Sequence, residues 1–180
     1  MKKLLVILPL ALILCFVVGC QDKEAMAELE KFKAQAAVEE QNKEIVRRIH
    51  DEVWSKGNLV VADELYAADY VAHWISGADT RGLEAFKKFL IEARGVFSDY
   101  TENIEQIVAE GDLVVTRFSD QGTFKGQITG IPSNDKKVTV QEIAIFRIVN
   151  RKVVEQWTIR DSLGLYQQLG MEHKPKEREK

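Results

Sequence analysis

The chain is poor in cysteine and histidine, with two of the first and three of the second in 180 residues. Cys15 and Cys20 both fall in the first 20 residues, so no disulfide is available to the remainder. A domain without that staple must be held by its core, and the length allows one domain with a sizeable core. His50, His73 and His173 are scattered and have no cysteine cluster beside them, so no metal set is expected. Basic stretches are also missing. The formal charge is −3 at pH 7, and removal of Lys2 and Lys3 makes it −5. A mildly acidic chain with no basic stripe argues against nucleic acid as a partner. No Gly-rich phosphate loop, Ser/His/Asp set or nucleotide fingerprint occurs. Internal repeats are absent as well.

What is present begins with an export signal. Met1-Lys2-Lys3 is followed by the nearly continuous apolar run Leu4–Val18, which is short for a permanent membrane span. Its end, Val17-Val18-Gly19-Cys20, resembles the lipobox of bacterial lipoproteins. That resemblance implies removal of residues 1–19 and acylation of Cys20, where two or three acyl chains hold a protein to a bilayer. An ordinary cleaved signal with a chance cysteine is the alternative. The expected location is the bacterial cell envelope, with Gln21 favouring an outer membrane where one exists. Residues 20–41 are rich in Ala, Glu, Lys and Gln and read as a helical tether.

From Asn42 the helical period strengthens, with Ile45, Ile49, Val53 and Val46, His50, Trp54 forming one apolar face. Gly57-Asn58 stops it. A short helix follows near 60–67, then an extended stretch Asp69–Ile75. A third helix after Gly82 carries Leu83, Phe86, Phe89, Leu90, Ala93 and Phe97 on one side. After Asp99 the period changes to two. Four strand-like runs cover 101–109, 113–123, 137–149 and 152–160, joined in pairs by turns at Glu110-Gly111-Asp112 and Asn150-Arg151. The pattern predicts an α+β domain over 42–172, three helices packed on a strongly curved antiparallel sheet, then a short C-terminal helix and a charged tail, 173–180.

The last strand draws chemical interest. On a strand Trp157, Ile159 and Asp161 share a face, and a carboxylate beside two apolar groups has its pKa raised by desolvation. The competing reading makes Asp161 the N-cap of the following helix. His73 could share a proton with Asp161. Trp54, Trp74, Phe97, Arg117, Gln141, Trp157 and Ile159 are the candidate substrate-binding residues. Parity puts Gln141, Ile143, Ile145 and Arg147 on one face and Glu142, Ala144 and Phe146 on the other, without saying which lines a pocket.

The domain resembles the SnoaL-like polyketide cyclases, or ester cyclases, of the NTF2-like cone fold. The residues carrying this are Trp54-Ser55-Lys56-Gly57-Asn58, Asp69-Tyr70-Val71-Ala72-His73, Gly82-Leu83-Glu84-Ala85-Phe86 and Gly126–Pro132. Ile143–Arg147, Val153–Trp157 with Asp161, and Gln168-Leu169-Gly170 complete the set. The resemblance implies an apolar pocket and cofactor-free acid/base catalysis on a small hydrophobic carbonyl compound, with Asp161 as general acid and base. The chain departs from the pattern at Phe124, where many members carry histidine. The alternatives are a non-catalytic envelope lipoprotein that binds an apolar ligand, or one that docks a protein or a second copy through its sheet.

Overall fold

The computed structural model describes residues 2–74, 77–128 and 130–171, with side chains from residue 23 onward. The side chains of the expected signal and of Cys20, and the whole of the tail 173–180, lie outside that description. Among the described residues no helix is long and apolar enough to cross a membrane. Internal contacts divide the chain into Met1–Val38 and Glu39–Lys180. Helix α1 is Lys2–Arg48, and every residue from 23 to 38 is exposed. Beyond Val38 the helix gains a buried face at Asn42, Ile45 and Val46.

The next turn is wound as a π-helix, Ile49–Ser55, with Ile49, His50, Val53 and Trp54 buried. Ser55 Oγ donates to the His50 carbonyl at 2.7 Å and accepts from the Glu102 amide at 2.9 Å. Arg94 donates to the carbonyls of Trp54 and Ser55, closing the end of the turn. Helix α2 (Leu59–Leu65) is capped by Asn58, whose Oδ1 accepts from the amides of Val60 and Val61.

Strands β1 (Tyr66–Trp74) and β2 (Thr80–Arg81) precede α3 (Leu83–Val96). Then come β3 (Phe97–Glu110), β4 (Leu113–Phe124), β5 (Lys137–Val149), β6 (Lys152–Arg160) and α4 (Ser162–Leu169). The six strands form one curved, open sheet in the order β2-β1-β6-β5-β4-β3. All pairs are antiparallel except β1 with β6, which is parallel. The expected domain thus has two further strands and one parallel join. Register shifts at 98–101 and 104–106 in β3, and at 147–148 in β5, bend the sheet. Phe97, expected at the end of the third helix, opens β3 instead.

Parity then decides what faces inward. On β4, Val114, Thr116, Phe118, Asp120 and Phe124 are buried, and on β5 so are Val138, Val140, Glu142, Ala144, Phe146 and Ile148. Helix α3 lays Leu83, Phe86 and Leu90 against this layer. Tyr66, Tyr70 and Phe86 form a mutual cluster with ring centroids 4.7 to 5.2 Å apart. Such aromatic pairs add about 0.5–1.5 kcal/mol each beyond their buried area.

Candidate functional site

Under α3 and the π-helical turn the sheet leaves a cavity of about 350 Å³. Trp54, Phe89, Phe97, Phe118 and Phe146 form its apolar wall, and Gly77 and Ala78 stand at its exposed rim. Trp74 Nε1 donates to Thr80 Oγ1 at 3.0 Å, fixing an indole that lines the cavity. Interrupting the apolar lining are three carboxyl groups, Glu102 from β3, Asp120 from β4 and Glu142 from β5.

All three are nearly enclosed, with side chains 4%, 5% and 9% exposed. Burial pushes the carboxyls of Glu102 and Glu142 well above the usual range, and the Asp120 charge raises both further. Burial raises Asp120 too, but a hydrogen bond from Glu142 and the charge of Arg160 oppose the rise. Arg160 Nε lies 3.0 Å from Glu142 Oε1, and its Nη2 lies 3.7 Å from Asp120 Oδ2. The remaining oxygen, Asp120 Oδ1, is buried without a hydrogen-bond partner. Asp120 and Glu142 are thus both raised, but of the two Asp120 alone has its rise opposed by a hydrogen bond from its neighbour, an asymmetry suited to paired base and acid roles.

Beside them stands a second group. His50 Nδ1 is 2.6 Å from Glu102 Oε2, and its Nε2 is 3.2 Å from Thr116 Oγ1. Its ring packs edge-on to Phe118 at 4.5 Å, and burial lowers its pKa to about 4, so it is neutral at pH 7. Tyr100 donates its hydroxyl to Glu102 Oε1 at 2.9 Å. Gln156 and Thr158 supply the β6 side of the wall, and Gln156 Oε1 accepts from Tyr70 at 2.7 Å. Among the described residues no group of three or more His, Cys, Asp or Glu could hold a metal ion.

Of the candidates expected from sequence, Trp54, Trp74 and Phe97 line the cavity. Arg117, Gln141, Trp157 and Ile159 do not, because they sit at the opposite parity, on the outer face of the sheet. There Arg117 pairs with Glu105, Gln141 donates to Glu105, and Ile159 is exposed. Asp161 keeps the parity of Trp157 and Ile159 and so lies outside as well. It is exposed, and its Oδ1 accepts from the Gly164 amide at 2.8 Å as the N-cap of α4. His73 is also on the outer side of β1. It is held between Asp79 (3.0 Å) and Glu155 (3.0 Å) and stacked on Trp157, with the Glu155 hydrogen bond raising its pKa. Structure brings together instead Glu102, Asp120, Glu142, His50, Tyr100 and Arg160. A sequence signal existed for Glu142, which shares parity with the apolar series Val138, Val140, Ala144, Phe146 and Ile148.

The comparisons with known proteins agree with this architecture. A family model described as SnoaL-like polyketide cyclase matches residues 44–169. The aklanonic acid methyl ester cyclase DnrD of Streptomyces peucetius is 30% identical over 94 residues, covering 51% of this chain. That match spans 64% of the cyclase's own length. Among solved structures, a candidate SnoaL-like polyketide cyclase from Jannaschia sp. CCS1 superposes with a TM-score of 0.69 at 25% identity, covering 75% of this chain and 95% of its own. A candidate polyketide cyclase from Acidithiobacillus ferrooxidans gives 0.66 at 30% identity, with coverages of 72% and 94%. IdmH from Streptomyces antibioticus, another candidate cyclase, gives 0.65 at 27% identity, with coverages of 73% and 99%. With the family pattern spanning its helices, its sheet and the cavity between them, this chain belongs to the SnoaL-like polyketide cyclase family.

Proposed function

We propose that the cavity performs cofactor-free acid/base chemistry on a small hydrophobic carbonyl compound, with Asp120 as base and Glu142 as acid. The observation that carries this reading is the enclosed Asp120–Glu142 pair on an otherwise aromatic wall, with Asp120 Oδ1 left unpartnered. A carboxylate in such a place gains basicity from lost hydration. It can take a proton from the carbon next to a carbonyl, while Glu142 gives its own proton to the carbonyl oxygen; the enol formed then attacks a second carbonyl or is reprotonated. The name of the Streptomyces peucetius relative, an ester cyclase, fits the first outcome. Exchange of the α-protons of 2-tetralone in deuterated water, followed by proton NMR, tests the step without knowledge of the natural substrate. Asp120→Asn should lower the exchange rate by roughly 10²–10³-fold, and Glu142→Gln by about tenfold or more. An unchanged rate in Asp120→Asn, with the fold intact, would remove Asp120 from the mechanism.

The reading places this chemistry at the cell envelope through an acylated Cys20. It also pairs two copies through the outer sheet face, where the exposed Ile143 and Ile159 are cross-strand partners and Ile145 stands opposite Trp157. Native mass spectrometry of detergent-extracted protein should show a lipid mass on Cys20 and a dimer. An unmodified monomer would overturn both.

A further inference from the structure

His50 and Glu102 have a property that the acid/base reading does not use. They line the cavity on one side, and on the other they line an open crevice of about 430 Å³ formed where the π-helical turn crosses the edge strand β3. The crevice is otherwise bounded by Arg47 and Asp51 on the helix and by Asn103–Ile107 of β3. The pair therefore stands between the cavity and the open crevice. It is also the end of a chain of hydrogen-bonding groups. Glu142 and the Tyr100 hydroxyl both act on Asp120, the same hydroxyl donates to Glu102 Oε1 at 2.9 Å, and Glu102 Oε2 meets His50 Nδ1 at 2.6 Å.

Building on the acid/base reading, we infer that Glu102 and His50 form a proton passage from the buried carboxyls to the crevice, separate from the opening through which substrate enters. A bound apolar substrate fills the front of the cavity and shuts out water there, so protons taken from carbon need another way out. In one cycle Asp120 takes a proton from the substrate carbon. Tyr100 gives its own proton to Glu102 and receives that of Asp120, and Glu102 releases one to crevice water. The reverse sequence returns one proton to the carbon, so the count balances with water as the only co-reactant. His50 holds the Glu102 carboxyl in place through Nδ1 and can take its proton transiently, its Nε2 being fixed by Thr116. The charges facing this pair are Arg47 and Asp51 from the helix, Glu105 along β3, and Asp120, Glu142 and Arg160 across the cavity, with Arg94 near Glu102. Burial agrees with the role: it lifts the Glu102 carboxyl well above its usual range, and it keeps His50 neutral and able to accept a proton.

The test follows the ring N–H of His50 in protein labelled with 15N-histidine, measuring its exchange with water with and without saturating 2-tetralone. Exchange through the crevice predicts a rate within about twofold of the free protein when the cavity is filled. Asp51→Trp, which covers the crevice from an exposed helix position, should slow it tenfold or more. Slowing by 2-tetralone alone, or no slowing in Asp51→Trp, overturns the passage. A second measurement addresses turnover: Glu102→Gln, which keeps the shape and hydrogen-bonding capacity, should lower kcat for 2-tetralone exchange tenfold with KM within twofold. An equal fall in kcat/KM through KM alone would assign Glu102 to binding. If wild-type protein exchanges no 2-tetralone protons, the acid/base reading falls, while the ring-proton experiment still judges the passage on its own.

Discussion

Asp161 and Asp120 are the same residue type in opposite settings, and the contrast is made by one step of strand parity. Asp161 ends the outer-facing series of β6 and caps α4, so Asp161→Ala should cost about 1 kcal/mol in a urea melt. The same variant should leave 2-tetralone exchange within twofold; a loss of exchange with unchanged stability would return the catalytic role to it. Asp120 belongs to the inner series of β4 and meets Glu142 and Arg160. His50 supplies a pH signature at this scale. Its folded pKa of about 4 lies below its ordinary 6.5, so the unfolded chain binds the proton more readily. Stability is therefore lost as pH falls from 6.5 towards 4, by about 3 kcal/mol for this group. Glu102 and Glu142 act in the other direction, because their folded pKa values are raised. Their contribution is present below their ordinary 4.5 and is lost as pH rises through the raised values. Urea midpoints should fall as pH rises from about 4.5 towards 8, and His50→Gln should remove the opposing loss on the acid side, raising the midpoint at about pH 4 relative to that at pH 7.

At the scale of elements, most of the fold was legible because each element repeats a simple rule. The helical faces of Ile45–Trp54 and Leu83–Leu90, the strand period after Asp99 and the turns at Gly111 and Asn150 are local signals. The site was less so. Parity sorts a strand into two faces but does not label one as inner, and Arg117, Gln141, Trp157 and Ile159 all belong to the other set. A charged residue in a strand reads by default as solvated, which hid Asp120, Glu142 and Arg160. Nothing local announces the π-helical turn either. It is held from outside by Arg94, which bonds the carbonyls at its end, and by the Glu102 amide of β3, which donates to its last residue, Ser55. Arg94→Met should cost about 2–3 kcal/mol, since charged hydrogen bonds to buried carbonyls are lost. It should also shift the fluorescence of Trp54, the indole nearest the change; an unmoved spectrum would mean the turn keeps its winding without the guanidinium.

Across the whole molecule, the parallel join of β1 to β6 has an effect on assembly. Residues far apart in the chain meet there, with Tyr70 bonded to Gln156 and Ala72 in register with the same residue. The β6 side chains Gln156, Thr158 and Arg160 that complete the cavity wall are the last of the sheet to be synthesised. A growing polypeptide therefore exposes Asp120 and Glu142 to solvent until the guanidinium that accompanies them has been made. The chamber is closed by its final strand, and a chain cut short before residue 160 would carry two carboxyl groups with no counter-ion and no floor.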